Sequence, residues 1–257
     1  MGIVDRFRRL IASRTHEPAA EARPSVVPPP APPATSIDDV IKRMQSIEAL
    51  LSPADGLACF NRMYLEVTQE VKARIQNDSF SDPGFVSRLD VVFANLYFAA
   101  VDSLSGPPSG IPAAWQPLLI DRTNPLIEPI QFALAGMNAH INHDLPVAVV
   151  ATCTELSTAP DDGAHHADYQ KVDALLDAAE QSVRESFEPP DIETVDHHVA
   201  AVANVVCNWT VNAARDVAWH TALGLWEVRE HTEAASLLTG ALARTVAMAS
   251  RGLLVVV

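Results

Sequence analysis

Cysteine is scarce and unpatterned in this chain: Cys59, Cys153 and Cys207 are odd in number and never form a Cys-x-x-Cys pair. That excludes a disulfide framework and a zinc ribbon, and it suits a reducing cytoplasm. Basic charge is also short. Eighteen Lys and Arg stand against 32 Asp and Glu, giving a net charge of -14, so the basic face that a nucleic-acid binder needs is missing. No apolar run reaches the roughly 18 residues needed to cross a bilayer, and the first 30 residues hold no secretory apolar core ending in a cleavage site. Alternating strands bounded by hairpin turns are absent too, so no sheet is expected.

Helical periodicity fills the space these absences leave. With 257 residues, 48% of them hydrophobic, the chain can bury a full core. The pattern predicts an all-α fold, a single helical bundle-like domain of about seven or eight helices over residues 36–257. Ser36 with Asp39 marks the first helix start, Ser52-Pro53 a second and Asp82-Pro83 a third. The third carries Phe85, Leu89, Val92, Phe93, Leu96, Phe98 and Val101, dense enough for a central core helix. A further helix is expected from about Asp191 to Glu230.

The N-terminus reads as a separate module. Ile3, Val4, Phe7, Leu10 and Ile11 share one face of a short helix over residues 1–15, with Arg6, Arg8, Arg9 and Arg14 mostly around it. Residues 16–35 follow as a disordered, proline-rich linker carrying Pro18, Pro24, Pro28, Pro29, Pro30, Pro32 and Pro33. A basic amphipathic helix tethered to an acidic body reads as a docking device, for an anionic membrane surface or for a groove on a protein partner.

The most informative stretch is Gln131 to Pro146, an apolar run interrupted by Asn138, His140, Asn142, His143 and Asp144. Buried polar groups of this kind need partners. On a helix His140 and Asp144 stack four residues apart, ahead of an interruption at Leu145-Pro146. Three readings fit that spacing. The pair can ligate a divalent metal, Asp144 can fix the tautomer of His140 as a general base, or both are satisfied polar groups at a crowded helix end. Cys153 is read as an inert buried thiol rather than a nucleophile. The tandem His165-His166 is read as solvated.

A second constellation lies downstream. Asn204, Asn208 and Asn212 recur every four residues among Val and Ala, with Arg215, Asp216, Trp219 and His220 beyond them. Asparagine is a modest helix former, so a ladder of three facing inwards needs something to bond. The expectation is one pocket for a small-molecule ligand between the two helices. His140, Asp144 and Arg215 are its catalytic candidates, Arg215 as a clamp for a carboxylate or phosphate. Asn138, Asn142, Asn208, Asn212, Asp121 and Trp219 are the candidate ligand-binding wall. Hydrolysis, elimination or cyclisation of a small metabolite suits such a site. The alternative is a non-catalytic helical module.

Known helical metal enzymes fit poorly. His143-Asp144 is similar to the core of HD-type phosphohydrolases, but no histidine lies between His16 and His140. Neither His140 nor His143 has a glutamate at ferritin-like spacing, and the asparagine ladder lacks the carboxylate of class I terpene cyclases. The string Gly136-Met137-Asn138-Ala139-His140-Ile141-Asn142-His143-Asp144-Leu145-Pro146 instead resembles an uncharacterised, mostly actinobacterial all-helical family, a domain of unknown function. Leu119 to Arg122, Tyr169 to Leu176 and Ala214 to Trp219 look like further pieces of it. The resemblance covers about residues 40 to 235, supports His140 and Asp144 as the site, and implies no activity.

Overall fold

The computed structural model describes residues 24–173, 176 and 211–256. The expected N-terminal helix, the first part of the linker, Cys207, Asn204 and Asn208 lie outside the described residues. Among those described there is no strand, and the chain is all-α. Helices α1 (Ile37–Leu50), α2 (Gly56–Gln76) and α3 (Pro83–Asp102) are followed by two short 3-10 turns and by α4 (Gln116–Asp121). Then come α5 (Pro129–Ala139), a π-helical turn (His140–Asp144), α6 (Leu145–Leu156) and α7 (His165–Lys171). Helices α8 (Val211–Val228) and α9 (Thr232–Leu253) complete the described residues.

Capping residues set the starts. Ser36 Oγ accepts from Asp39 N–H at 3.2 Å, and Asp82 Oδ1 from Phe85 N–H at 2.9 Å with Pro83 in the first turn. The second helix does not open at Ser52-Pro53 as expected. Those residues form a turn, and Asp55 caps the helix from Gly56 by accepting Leu57 N–H at 2.9 Å. Asp55 is fully buried, where it also meets the guanidinium of Arg122 and the hydroxyl of Ser25. The charge is therefore compensated, as burial requires.

Residues 24–35 hold no helix or strand, as their prolines dictate, yet they are fastened to the domain. Val26 N–H donates to Leu50 O at 3.1 Å, Ala34 exchanges two hydrogen bonds with Asn95, and Pro28 and Ala34 are buried.

The centre of the domain is the continuous rod of α5, the π turn and α6. Helices α2 and α9 pack on its first half, and α3 and α8 on its second, while α1 covers α2 and α3. Glycine permits the closest approach, because a Cβ on Gly136 would lie 2.5 Å from the ring of Phe60 and one on Gly56 2.4 Å from that of Phe132. Each ring thus seats on a glycine of the facing helix, and burying each contributes about 2–3 kcal/mol. The expected interruption at Leu145-Pro146 does not occur. In the wider turn Leu145 N–H reaches back five residues to His140 O, so Pro146, which has no N–H to offer, enters as the first turn of α6. Helix α3 with its following turn, Pro83–Ser105, is long and apolar enough to cross a membrane by composition, but half of it is buried within the domain.

Candidate functional site

The π turn places His140 and Asp144 in the core, each about 2% exposed. His140 Nδ1 lies 3.1 Å from Asp144 Oδ2, which also accepts the indole N–H of Trp115 at 2.9 Å. The other carboxylate oxygen, Oδ1, meets His143 Nδ1 at 2.7 Å. Burial pushes the Asp144 carboxyl up, but the hydrogen bonds from His140 and His143 outweigh it and hold the group below its ordinary value. Burial also lowers His140, and the neighbouring carboxylate offsets that only in part. A neutral imidazole facing an ionised carboxylate carries its proton on Nδ1. Nε2 is then a bare lone pair, and it is buried with no hydrogen-bond partner.

Aromatic rings hold this imidazole in place. Phe93 stacks on it with centroids 3.5 Å apart and planes within 6°, and Tyr64 meets it edge-on at 4.4 Å. Phe60, Tyr97 and Trp115 complete the surround. Position and tautomer of His140 are fixed by packing on the flanks and by Asp144 behind.

A cavity of about 110 Å³ opens beside this ring. Its walls come from α2 (Met63, Tyr64, Val67), α3 (Val86, Leu89, Phe93), the rod (Leu134, Met137, Ile141, Leu145) and the ends of α7 and α8. Polar groups on the wall are few: Tyr64, Asp90, His140, Asp168, Tyr169 and Arg215. Two of them are neutralised locally. Arg215 Nε is 2.5 Å from Asp173, one NH2 donates to Tyr169 O at 2.7 Å, and the guanidinium lies 4.0 Å over the Tyr169 ring. Asp168 accepts the backbone N–H groups of Ser81 and Asp82 and the ammonium of Lys171. Asp90 differs. Its Oδ2 is buried without a partner, and desolvation pushes its carboxyl up to about 7.

His140 and Arg215 both border this cavity. Arg215 does not fit the part of a free anion clamp, because Asp173 already neutralises it. Asn138 faces away from the cavity and joins the rod to α9, donating to Val246 O at 3.0 Å and Ser250 Oγ at 2.9 Å. Asn142 donates to Asn138 Oδ1 at 2.8 Å. Asp121, half-buried at the end of α4, and Asn212, half-buried on α8, are not on the cavity wall. Trp219 is buried against His166, with parallel rings 4.6 Å apart, and against Tyr169. The tandem histidines open α7 rather than a solvated loop, and His165 stacks at 3.9 Å on Phe85. Burial pushes the Cys153 thiol up to about 12, which makes it inert.

The geometry does not make His140 and Asp144 co-ligands of one ion. Asp144 sits on the Nδ1 side with both oxygens engaged, whereas the available lone pair is on Nε2. Among the described residues no group of three His, Cys, Asp or Glu converges on a common point. Sequence reasoning passes over Asp90, Tyr64, Phe93 and Trp115. The signal for Asp90 is present in Leu89-Asp90-Val91-Val92-Phe93, a lone carboxylate in a core helix, the same kind of anomaly that marks His140.

An all-helical domain enclosing an apolar cavity, with one oriented histidine and one unpaired carboxyl on its wall, is the class that fold and site define. The chain belongs to the family described as a family of unknown function (DUF5995), which matches residues 37–256. No curated protein and no solved structure matches it.

Proposed function

We propose that this protein is an enzyme that moves a proton on a small, mainly apolar molecule held in the cavity, with His140 as the general base. The observation that carries this reading is the bare, buried Nε2 of His140 on the cavity wall, backed by a carboxylate that fixes the tautomer. A base of this kind is oriented in advance and shielded from water, which is what general-base catalysis requires. Asp144 and Trp115 are positioning residues, since they act through the imidazole. Elimination and cyclisation suit apolar walls better than hydrolysis, because such walls offer a nucleophilic water few partners. The cytoplasm is the compartment we propose, supported by the sequence pattern of its cysteines, three in number and with no Cys-x-x-Cys pair.

Phenol tests the reading, since it is apolar, ring-sized and carries one hydroxyl to donate to Nε2. Apolar cavities of about 150 Å³ accept a single benzene ring, so the site is of the right order. A dissociation constant of about 1 mM is expected for so small a probe, followed by the quenching of tryptophan fluorescence. His140→Gln should weaken it at least tenfold while the melting temperature moves by no more than a few degrees. Equal binding by that variant, or a loss of stability with no effect on phenol, would return His140 to a packing role.

Binding without turnover is the second reading, favoured by how few polar groups the wall carries. In either case the N-terminal segment is proposed to dock the domain on an anionic membrane or a protein partner, on the basis of its sequence pattern. Co-sedimentation of the full chain with phosphatidylserine vesicles, lost on deleting residues 1–23, would select the membrane. Retention of a protein partner without vesicle binding would select the groove.

A further inference from the structure

We infer that the substrate of this cavity is an uncharged carbonyl compound and that Asp90, held as a neutral carboxylic acid, is the group that donates to its carbonyl oxygen. The inference deepens the proposed function and rests on the reading of His140 as the base.

Position comes first. Asp90 and Phe93 are one turn apart on α3, and the Phe93 ring lies flat on His140. The helix that clamps the imidazole therefore brings the carboxyl to the same cavity. Asp90 Oδ2 and His140 Nε2 are both buried and unpartnered, as is the Tyr64 hydroxyl on the same wall, whereas among the described residues the other wall charges, Asp168 and Arg215, are locally paired. Leaving two such groups unsatisfied costs stability. A ligand that bonds both removes that cost, and its chemistry must complement them: a donor or acidic C–H for the lone pair, an acceptor for the acid.

The charged and titratable groups facing Asp90 bear on its state. Tyr64 on α2, His140 with Asp144 behind it on the π turn, Asp168 and Tyr169 on α7, and Arg215 on α8 share the wall. Asp168 is matched by Lys171 and Arg215 by Asp173, so neither leaves a free cation to hold Asp90 ionised. Desolvation then favours the neutral acid, consistent with a carboxyl pushed up to about 7. A carboxylate ligand is disfavoured for the same reason: it would enter an apolar cavity that holds a buried acid and, among the described residues, no unpaired cation.

The chemistry closes. His140 Nε2 takes a proton from the carbon next to the carbonyl, and the C–H electron pair becomes the C=C of an enol. The carbonyl oxygen takes the proton of Asp90, whose O–H bond breaks to leave a carboxylate. The imidazolium so formed is stabilised by Asp144. Reversal restores both groups, so the step needs no oxidant or co-reactant. Enolisation is the common entry to elimination, isomerisation and cyclisation next to a carbonyl.

Deuterium exchange into cyclohexanone, followed by NMR in D2O with the full-length protein, tests this. Cyclohexanone is uncharged, ring-sized and has exchangeable α-protons. Wild type should exchange them above the buffer rate, with a rate that falls about tenfold per unit as pH rises beyond about 7. His140→Gln should abolish exchange. Asp90→Leu should lower it at least a hundredfold, and Asp90→Asn, the near-isosteric variant if the leucine fails to fold, should remove the fall above pH 7. Exchange that needs His140 but is unchanged in the Asp90 variants would overturn the carbonyl-acid assignment and leave the base reading standing. Phenol binding that needs His140, with no exchange by wild type, would also overturn it. Failure of both probes in wild type would remove the base reading with it.

Discussion

The central rod has two polar faces that obey different rules. Towards α9, Gln131 and Asn138 are saturated: Gln131 Nε2 donates to Leu253 O at 2.8 Å and Val255 O at 3.1 Å, and Asn138 to Val246 O and Ser250 Oγ. Towards the cavity, a few residues further along the same rod, His140 is fastened on one side and left open on the other. A buried polar group that only holds helices together loses nothing by being fully bonded. One meant to meet a ligand must keep an atom unbonded until the ligand arrives, and the proposed function assigns that difference to the two faces.

Asp144→Ala would break the comparison most severely. It strips a partner from Trp115 Nε1, His140 Nδ1 and His143 Nδ1 together, leaving buried donors unpaired, and should cost about 3–5 kcal/mol in urea denaturation. A loss below about 1 kcal/mol would mean that the network is not a unit. Next is the pH dependence of stability, where the cavity face has its own signature. Asp90, raised to about 7 from 3.8, stays protonated in the fold while the unfolded carboxyl ionises, so its contribution declines as pH rises between these values, by up to about 4 kcal/mol. His140 works in the opposite direction. Its value is lowered, so below the ordinary 6.5 the unfolded chain gains a proton the fold does not, and stability falls as pH falls. The two slopes oppose each other just below pH 6.5, where the unfolded histidine takes up its proton, and single variants should unmask them. His140→Gln should leave a stability that declines with rising pH, and Asp90→Asn one that declines with falling pH. Parallel curves for wild type and both variants would contradict the assignment. Below about pH 4 the lowered carboxyl of Asp144 adds a further loss as it protonates.

Asn138→Ala sharpens the contrast from the saturated side. It leaves Val246 O and Ser250 Oγ short of a donor and should cost about 1–3 kcal/mol without changing phenol affinity. His140→Gln should do the reverse, altering affinity with less than about 1 kcal/mol in stability, because one of the ring's two polar atoms has no bond to lose. If both variants changed both properties equally, the division between a structural and a ligand-facing side of the rod would fail.

Much of the fold was legible because its signals are local. Ser36, Asp82-Pro83 and the apolar stripe of α3 mark helices through capping and spacing, which short-range sterics enforce. His140 and Asp144 were legible for the same reason, since a separation of four residues on a helix stacks two side chains whatever surrounds them. That Asn138 bonds Val246 O and Ser250 Oγ is not legible in the sequence, because pattern shows that a polar residue is buried, not who bonds it. The ion pair of Arg215 with Asp173 is hidden from pattern likewise, because the two residues are 42 positions apart and meet only in the folded domain.

The sequence by itself determined an all-helical chain, the helix starts at Ser36 and Asp82-Pro83 and the His140–Asp144 pair, all properties of neighbours along a backbone. Only the tertiary structure decided that Pro146 continues a helix through a π turn, that Trp115 and His143 complete the carboxylate, and that Asp90 shares a cavity with His140. Those depend on which faces meet once the apolar stripes are buried, and burial is a property of the whole packed domain rather than of any segment.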